Sequence, residues 1–316
     1  MIKRILSLLF LVCVLSNCKN TKKDPNTFEA VLIKENVYSI VSPSFGLPTP
    51  ENKGWNSNSH FVLTTKGVLL FDSGSSEAIG NKIMKTIKTV TDLPVLWVVN
   101  SHSHADHWLG NAAFKDAEII TSTQALSTMK KYGKEDVQFF SKITKGTIGK
   151  TNLVYPTKLI SKEEKVVFGN TEIEFMFSNN AHSKGDLLMW LPKQKIIFGG
   201  DVLSSDWMPI ITNPKNLPEL INTLKKVASL QPNIVLTGHG KATNKTAIQR
   251  DLDLLTNVMR IVEEEYKKGK KAAEILPVVK SNLATKFLSK YKNFDSEIKR
   301  YVAQLFQLHQ KSDQKI

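Results

Sequence analysis

Val95–Val99 is a continuous apolar run, the pattern of a strand buried on both faces. Within two residues it passes into Ser101-His102-Ser103-His104-Ala105-Asp106-His107. Any fold of this chain must therefore end a buried strand on a loop that carries three imidazoles and a carboxylate within six positions. Loops at the ends of such strands are where a rigid scaffold displays functional groups.

The same arrangement recurs. His182 follows an apolar run at 175–177, Asp201 follows Ile196–Phe198, and His239 follows Ile234–Leu236. Five of the seven histidines occupy such strand ends, which leaves His60 as a strand residue near a site mouth and His309 as a helix-surface residue. Glycines flank two of these positions, in Gly199-Gly200-Asp201 and Gly238-His239-Gly240. They permit unusual backbone angles and let the chain pass close to a ligand.

Imidazole and carboxylate are the usual donors to zinc and related divalent metals. The spacing of His102 and His104 lets two rings converge on one ion from a tight turn. Asp106 and His107 then point elsewhere and can serve a second. A capping aspartate among surface histidines is the bland alternative, with Asp106 starting a helix over 107–113. Three histidines in six positions argue against it.

The remaining pattern alternates strands and helices. Residues 30–41 read as one or two strands. Residues 60–64 and Val68–Phe71 flank a turn at Thr65-Lys66-Gly67, and 77–90 carry apolar residues on one helical face. Strand 118–121 precedes two helical stretches, 123–131 and 135–142. Hairpins are expected around Gly169-Asn170 and Pro192-Lys193-Gln194. Helix 217–230, strand 233–236 and helix 245–268 follow, then a charged helical tail broken near Pro277 and Asn293. This order suggests two packed sheets with helices outside, and no repeat of 20–50 residues interrupts it.

The ordered set His-x-His-x-Asp-His, lone His182, Gly-Asp at 200–201 and Gly-His-Gly at 238–240 resembles the metallo-β-lactamase superfamily. The strand Val68–Phe71 running into Asp72-Ser73-Gly74 is similar to that family's early strand and buried aspartate. The resemblance spans about residues 31–260 and implies an α/β (α+β) four-layer αββα sandwich with metals at one edge. It further implies that His102, His104 and His182 hold one ion and Asp106, His107 and His239 a second. Asp201 would bridge them, and Asp72 would orient a ligand from outside the coordination sphere.

The implied activity is that of a di-zinc hydrolase in which hydroxide attacks a carbonyl of a small cyclic amide, ester or thioester, with β-lactams the leading candidate. Asp106 could accept or relay the proton. Iron or manganese are the other metals to consider, and an iron-dependent oxidoreductase is a rival on the same fold. The lactamases best known for broad activity place cysteine where Asp201 stands, so a glyoxalase-type thioesterase is a second alternative. The latter usually carry Pro-Gly-His where this chain has Asn180-Ala181-His182. No Gly-x-Ser-x-Gly elbow offers a protein nucleophile. Residues 42–59, with Phe45 and Trp55, and the segments Trp108-Leu109 and Trp207-Met208-Pro209 are candidates for an apolar wall around a small-molecule substrate.

The N-terminus reads as an export signal, basic over residues 1–4 and apolar over 5–15. Leu15-Ser16-Asn17-Cys18 resembles a lipobox, so residues 1–18 are expected to be a signal peptide and Cys18 to carry a membrane anchor. Residues 19–27 form a tether, 28–265 the catalytic domain and 266–316 a helical C-terminal extension. The expected address is the cell envelope, as a lipoprotein facing the periplasm. Cys13 and Cys18 are the only cysteines, so the folded body has neither a disulfide nor a thiolate ligand. The net charge of +14 comes from dispersed lysines, and with an export signal it does not point to a nucleic-acid partner.

Overall fold

A computed structural model describes residues 27–313; the signal peptide and Cys18, and all of the tether before Thr27, lie outside them. Two sheets face each other. The first holds seven strands in spatial order: β1 Ala30–Lys34, β2 Val37–Ile40, β3 Ser59–Leu63, β4 Val68–Phe71, β5 Val95–Val99, β6 Glu118–Ser122 and β7 Lys158–Ile160. Pairing is antiparallel from β1 to β4 and parallel from β4 to β7. The second holds five, in the order β12 Ile234–Leu236, β11 Ile196–Phe198, β10 Asp186–Leu191, β9 Thr171–Ser178 and β8 Glu164–Phe168.

Period-2 alternation sorts the apolar side chains into layers. Leu69, Phe71 and Val99 of the first sheet meet Phe175, Leu187, Met189 and Phe198 of the second in the central core. Val68, Leu70 and Val98 point outward against Ile79, Ile83 and Ile87 of helix α1, Glu77–Ile87. On the far side, Leu188, Trp190, Ile197 and Val235 pack on α4 Leu217–Ser229 and α5 Lys245–Lys267. The result is the expected αββα sandwich. A short helix α2, Ala105–Trp108, and the long α3, Thr123–Ile143, form a smaller cluster beside the first sheet. Helices α6 Ala272–Phe287 and α7 Phe294–Asp313 pack on α5 through Ile275, Val279, Leu283, Ile298 and Tyr301.

Two sequence expectations need correction, and the capping alternative for Asp106 fails. The two helical stretches at 123–131 and 135–142 are one helix. Gly133 costs about 1 kcal/mol of helix propensity, but the Trp108 ring lies directly over it and leaves no room for a larger residue. Pro277 does not break α6, because four buried apolar residues, Ile275, Val279, Leu283 and Phe287, hold the helix through it at the loss of one helix hydrogen bond. Asp106 caps nothing: His104 occupies the N-cap of α2, and Asp106 lies in the first turn.

The strand ends converge at one edge, tied by the backbone. Leu187 N donates to Ser101 O at 2.7 Å and Asn58 N to Gly238 O at 2.7 Å across the sandwich, and Gly238 N to Gly200 O at 2.8 Å joins neighbouring strand ends of the second sheet. Close backbone packing also sets how the loop after β5 leaves the sheet. A Cβ on Gly110 would lie 2.0 Å from Ser73 O, beside the end of β4. Gly110→Ala is expected to cost about 1–3 kcal/mol, as overpacking against immovable backbone does. A lower urea midpoint at unchanged m-value would show it.

Candidate metal centre

All seven residues proposed from sequence lie together. One group comprises His102, His104, His182 and Asp201; a second comprises Asp106, His107 and His239; within each, the candidate donor atoms lie within 4.8 Å of one another. Asp201 reaches both. Its Oδ2 lies 3.6 Å from His182 Nε2 and 3.3 Å from His239 Nε2, and its Oδ1 lies 3.4 Å from His107 Nε2. Asp106 Oδ2 lies 3.5 Å from the Nε2 atoms of both His107 and His239. Donors about 2.0–2.2 Å from a tetrahedral ion are separated from each other by roughly 3.3–3.5 Å.

Polar satisfaction gives an independent test of fit. His102 Nε2, His107 Nε2 and Asp201 Oδ1 are buried yet have no hydrogen-bond partner. A buried polar atom left this way costs about 1–3 kcal/mol, so three of them within the two neighbouring donor groups fit a ligand-binding role. The outer ring nitrogens, in contrast, are occupied. His107 Nδ1 faces Asp72 Oδ2 at 2.9 Å, His182 Nδ1 faces Ile210 O at 3.2 Å, His239 Nδ1 faces Asn56 O at 2.7 Å, and His102 Nδ1 faces Ser101 Oγ at 2.9 Å. A carbonyl or carboxylate acceptor fixes the proton on Nδ1 and leaves the Nε2 lone pair free to ligate. The residues fit a pair of divalent ions.

Electrostatics point the same way. Burial depresses His102, His104 and His182, the last to about 4, so these three rings are neutral at pH 7. Burial also opposes charge on His107, but Asp106, Asp201 and Asp72 together raise it well above the ordinary imidazole range. Desolvation would raise Asp106 and Asp201, yet the neighbouring imidazoles His107 and His239 outweigh it, holding Asp106 near 2 and Asp201 well below the usual range. His102, His104 and His182 are thus neutral beside ionised carboxylates, as a metal requires, whereas burial opposes charge on His239 but Asp201 and Asp106 raise it like His107, so these two rings would give up a proton on metal binding.

Asp72 sits at the end of β4 with φ of 62°, left-handed backbone that a non-glycine residue adopts at a cost of about 1–3 kcal/mol. Its carboxylate accepts from Ser101 N at 2.7 Å, Ser101 Oγ at 2.8 Å and His107 Nδ1. Gly238 has no freedom to change: a Cβ there would lie 2.1 Å from Asp201 Oδ1 and 2.8 Å from His107 Cε1. Asp186, fully buried, accepts from the backbone N–H groups of Ala181, His182 and Ser183 at 2.8–3.1 Å and shapes the turn carrying His182.

Asn56 carries no motif and is absent from the sequence-based set. Its Nδ2 donates to Asp106 Oδ2 at 2.8 Å, its carbonyl holds His239, and its Oδ1 is buried without a partner. The only hint in sequence is the asparagine density at Asn52, Asn56 and Asn58.

The expected apolar wall is only partly there. Trp108 is fully buried, donating to Ser103 O at 3.1 Å, and Trp55 is buried against Phe28; both serve packing, while Met208, also buried, borders the Phe45–Trp207 side of the site. Phe45 and Trp207 do line the site, stacked at 3.7 Å with Phe45 edge-on to His239. His60 is not at the mouth but buried on β3, held by Ser39 Oγ and Thr237 O. His309 stacks on Tyr266 along α7. The donors open into a cleft of about 1090 Å³ whose walls include Leu47, Tyr132, Asp136, Phe139, Asn180 and Arg300.

The family model of the metallo-beta-lactamase superfamily matches residues 52–239, more than half of the chain. The chain belongs to that superfamily. It is 27% identical over 207 residues to a metallo-beta-lactamase type 2 of Bacillus sp. (strain 170), covering 63% of this chain and 72% of the relative. It is also 27% identical over 208 residues to metallo-beta-lactamase IND-1 of Chryseobacterium indologenes, covering 64% and 80%. Among solved structures, a metallo-beta-lactamase from Pontibacter korlensis aligns with a TM-score of 0.59 at 19% identity, covering 73% of this chain and all of that one. A sec-alkylsulfatase from Pseudomonas sp. aligns equally well at 16% identity, covering 80% of this chain and 45% of that one. At these identities the structural likeness speaks to the fold.

Asn56→Ala removes the donor to Asp106 and is expected to weaken metal binding about 10–100-fold, the usual effect of losing an outer partner; a competitive chelator titration measures it. Asp136, half-buried on the cleft wall, is raised to about 6 by burial, Glu135 and Asp106. The metal-free folded state therefore holds this proton more tightly than the unfolded chain, whose Asp titrates near 3.8. That contribution to stability is present at low pH and lost as pH rises through about 6. A carboxyl-carbon NMR titration should place the midpoint near 6 in metal-free protein and lower on zinc loading, because dications offset the repulsion from Asp106.

Proposed function

We propose that this chain is a metal-dependent hydrolase, working with two zinc ions on the carbonyl of a small cyclic amide, ester or thioester, β-lactams foremost. The observation that carries the reading is the pair of donor groups facing each other across Asp201 at the floor of one cleft. His102, His104 and His182 would hold one ion, Asp106, His107 and His239 the other, with Asp201 between. The N,O donor set without thiolate suits zinc, with iron and manganese as competitors. Bound there, such a pair supplies Lewis acidity toward a carbonyl oxygen and makes water acidic enough to act at neutral pH.

The chain's own residues do the rest. Asp106, ionised at pH 7 and held by Asn56, is placed to accept the proton released as water attacks and to pass it to the leaving group. The Phe45–Trp207 stack shields the His239 side of the site from solvent. The β-lactam preference is supported by the relatives named metallo-beta-lactamases, which match over most of their length. Asp201 at the bridging position keeps thioesters in view as the alternative. The leader and Cys18 support an envelope address for the enzyme.

Zinc-loaded protein assayed against lactams, lactones and glutathione thioesters is expected to turn over at least one class, with chelation abolishing activity and zinc restoring it. His104→Ala should lower kcat/KM by at least about a hundredfold, a barrier increase of roughly 3 kcal/mol. Turnover at the wild-type rate in that variant would refute the metal assignment, and iron dependence with oxygen consumption would refute hydrolysis.

A further inference from the structure

The family match ends at residue 239, yet the helices beyond it bind a loop that touches the metal centre. Residues 203–213 run without regular structure beyond a short turn, from the end of the Asp201 turn to the start of α4. An irregular segment of this length loses about 1–2 kcal/mol per residue in conformational entropy when ordered, so something must hold it. On one side the holders come from the C-terminal extension. Lys292 N donates to Asp206 O at 2.8 Å, and Asn293 Oδ1 accepts from Met208 N at 2.8 Å. The Tyr301 hydroxyl donates to Pro209 O, and Gln304 Nε2 reaches Ile211 O at 3.4 Å. Tyr291 OH and Ser204 Oγ share the buried carboxylate of Asp251 at 2.6 and 2.5 Å, fastening the start of the loop.

The other side of the loop faces His182. Ile210 O accepts a hydrogen bond from His182 Nδ1 at 3.2 Å, and Thr212 Oγ1 donates to His182 O at 2.7 Å. Residues 206, 208, 209 and 211 are thus held by the extension, while 210 and 212 hold the ligand. Trp207, between them, carries the same support through Phe45 to His239.

We infer that the C-terminal extension is a working part of the metal centre: Asn293 and Tyr301 are positioning residues that keep residues 206–212 in the arrangement that fixes the His182 ring. The inference rests on reading the cluster as a metal site, but it can fail separately. In a cobalt(II) titration followed by the visible ligand-field bands, the Asn293→Leu/Tyr301→Phe double variant should bind one of two ions about ten- to a hundredfold more weakly, with an altered spectrum. Asn293→Asp keeps the acceptor for Met208 N and should titrate like the wild type. So should Lys280→Ala, which removes an exposed ion pair to Asp295 elsewhere in the extension.

A double variant with wild-type cobalt affinity and spectrum, even at a lower melting temperature, overturns the inference, because that is what a purely structural cap would give. If the double variant does not fold, Tyr301→Phe alone removes a single hydroxyl and carries the same test. An arm without metal uses ¹⁵N-histidine NMR of the metal-free protein. His182 should hold one tautomer in the wild type and exchange between two in Asn293→Leu; a single tautomer in both overturns the inference whatever the metal does.

Discussion

The carboxylate of Asp72 is the contact on which the rest of the site depends. It closes β4 in a left-handed conformation and receives three hydrogen bonds from the loop that closes β5. Adjacent parallel strands are thereby locked at their C-terminal ends, and the histidine loop leaves the sheet in one direction only. With Ser101 fixed from both its backbone and its hydroxyl, His102 is turned inward. With His107 Nδ1 engaged, the opposite nitrogen must face the donor cluster. The buried charge is tolerated because every Asp72 oxygen has a partner, the condition under which a buried carboxylate can be carried.

Around that anchor the second sheet adds its ligands one strand end at a time. The turn after β9 is formed by Asp186 and carries His182; the turn after β11 carries Asp201; the turn after β12 carries His239. Two backbone hydrogen bonds between the two sets of loops, Leu187 N to Ser101 O and Asn58 N to Gly238 O, hold the halves in register. Asp201 contacts both donor groups because β11 lies between β10 and β12, so its end is the one that faces the middle of the first sheet's loops.

Much of this could be read in the sequence, for a physical reason. Strands β4 and β10 are buried on both faces, as is the Val98-Val99 end of β5 that leads into the histidine loop, and so they read as continuous apolar runs, and glycines mark where backbones must nearly touch. His60 is a strand residue as read, but its position away from the mouth was not legible, since its buried setting depends on Ser39 and on Thr237, 177 positions away. Strand β7 has only three residues, too few for a period to show. Asn56 acts through a carbonyl and an amide that any asparagine possesses. The break assigned at Gly133 and the one at Pro277 came from local propensity, and in both places tertiary packing outweighs it. Trp55, in the loop 42–59, and Trp108, which adjoins the histidine motif, looked like cleft residues, but a large ring next to a tight loop is more valuable as filling than as lining.

The pattern of unsatisfied polar atoms identifies the site without any motif. Among the described residues nine buried side-chain N or O atoms lack a hydrogen-bond partner, and His102, His107, Asp201 and Asn56 supply four of them at one place, with Gln124 on the wall of the same cleft. Native interiors satisfy nearly all such groups, so a concentration of this kind is evidence of a missing partner rather than of poor packing. Two more of the nine, Arg300 Nε and Gln304 Oε1, lie on α7, the helix whose Tyr301 and Gln304 hold the His182 loop. Unmet polar demand therefore extends from the donor cluster onto the C-terminal extension. Arg300 also lines the cleft. A helical cap that only sealed an apolar face would have no reason to bury polar groups there.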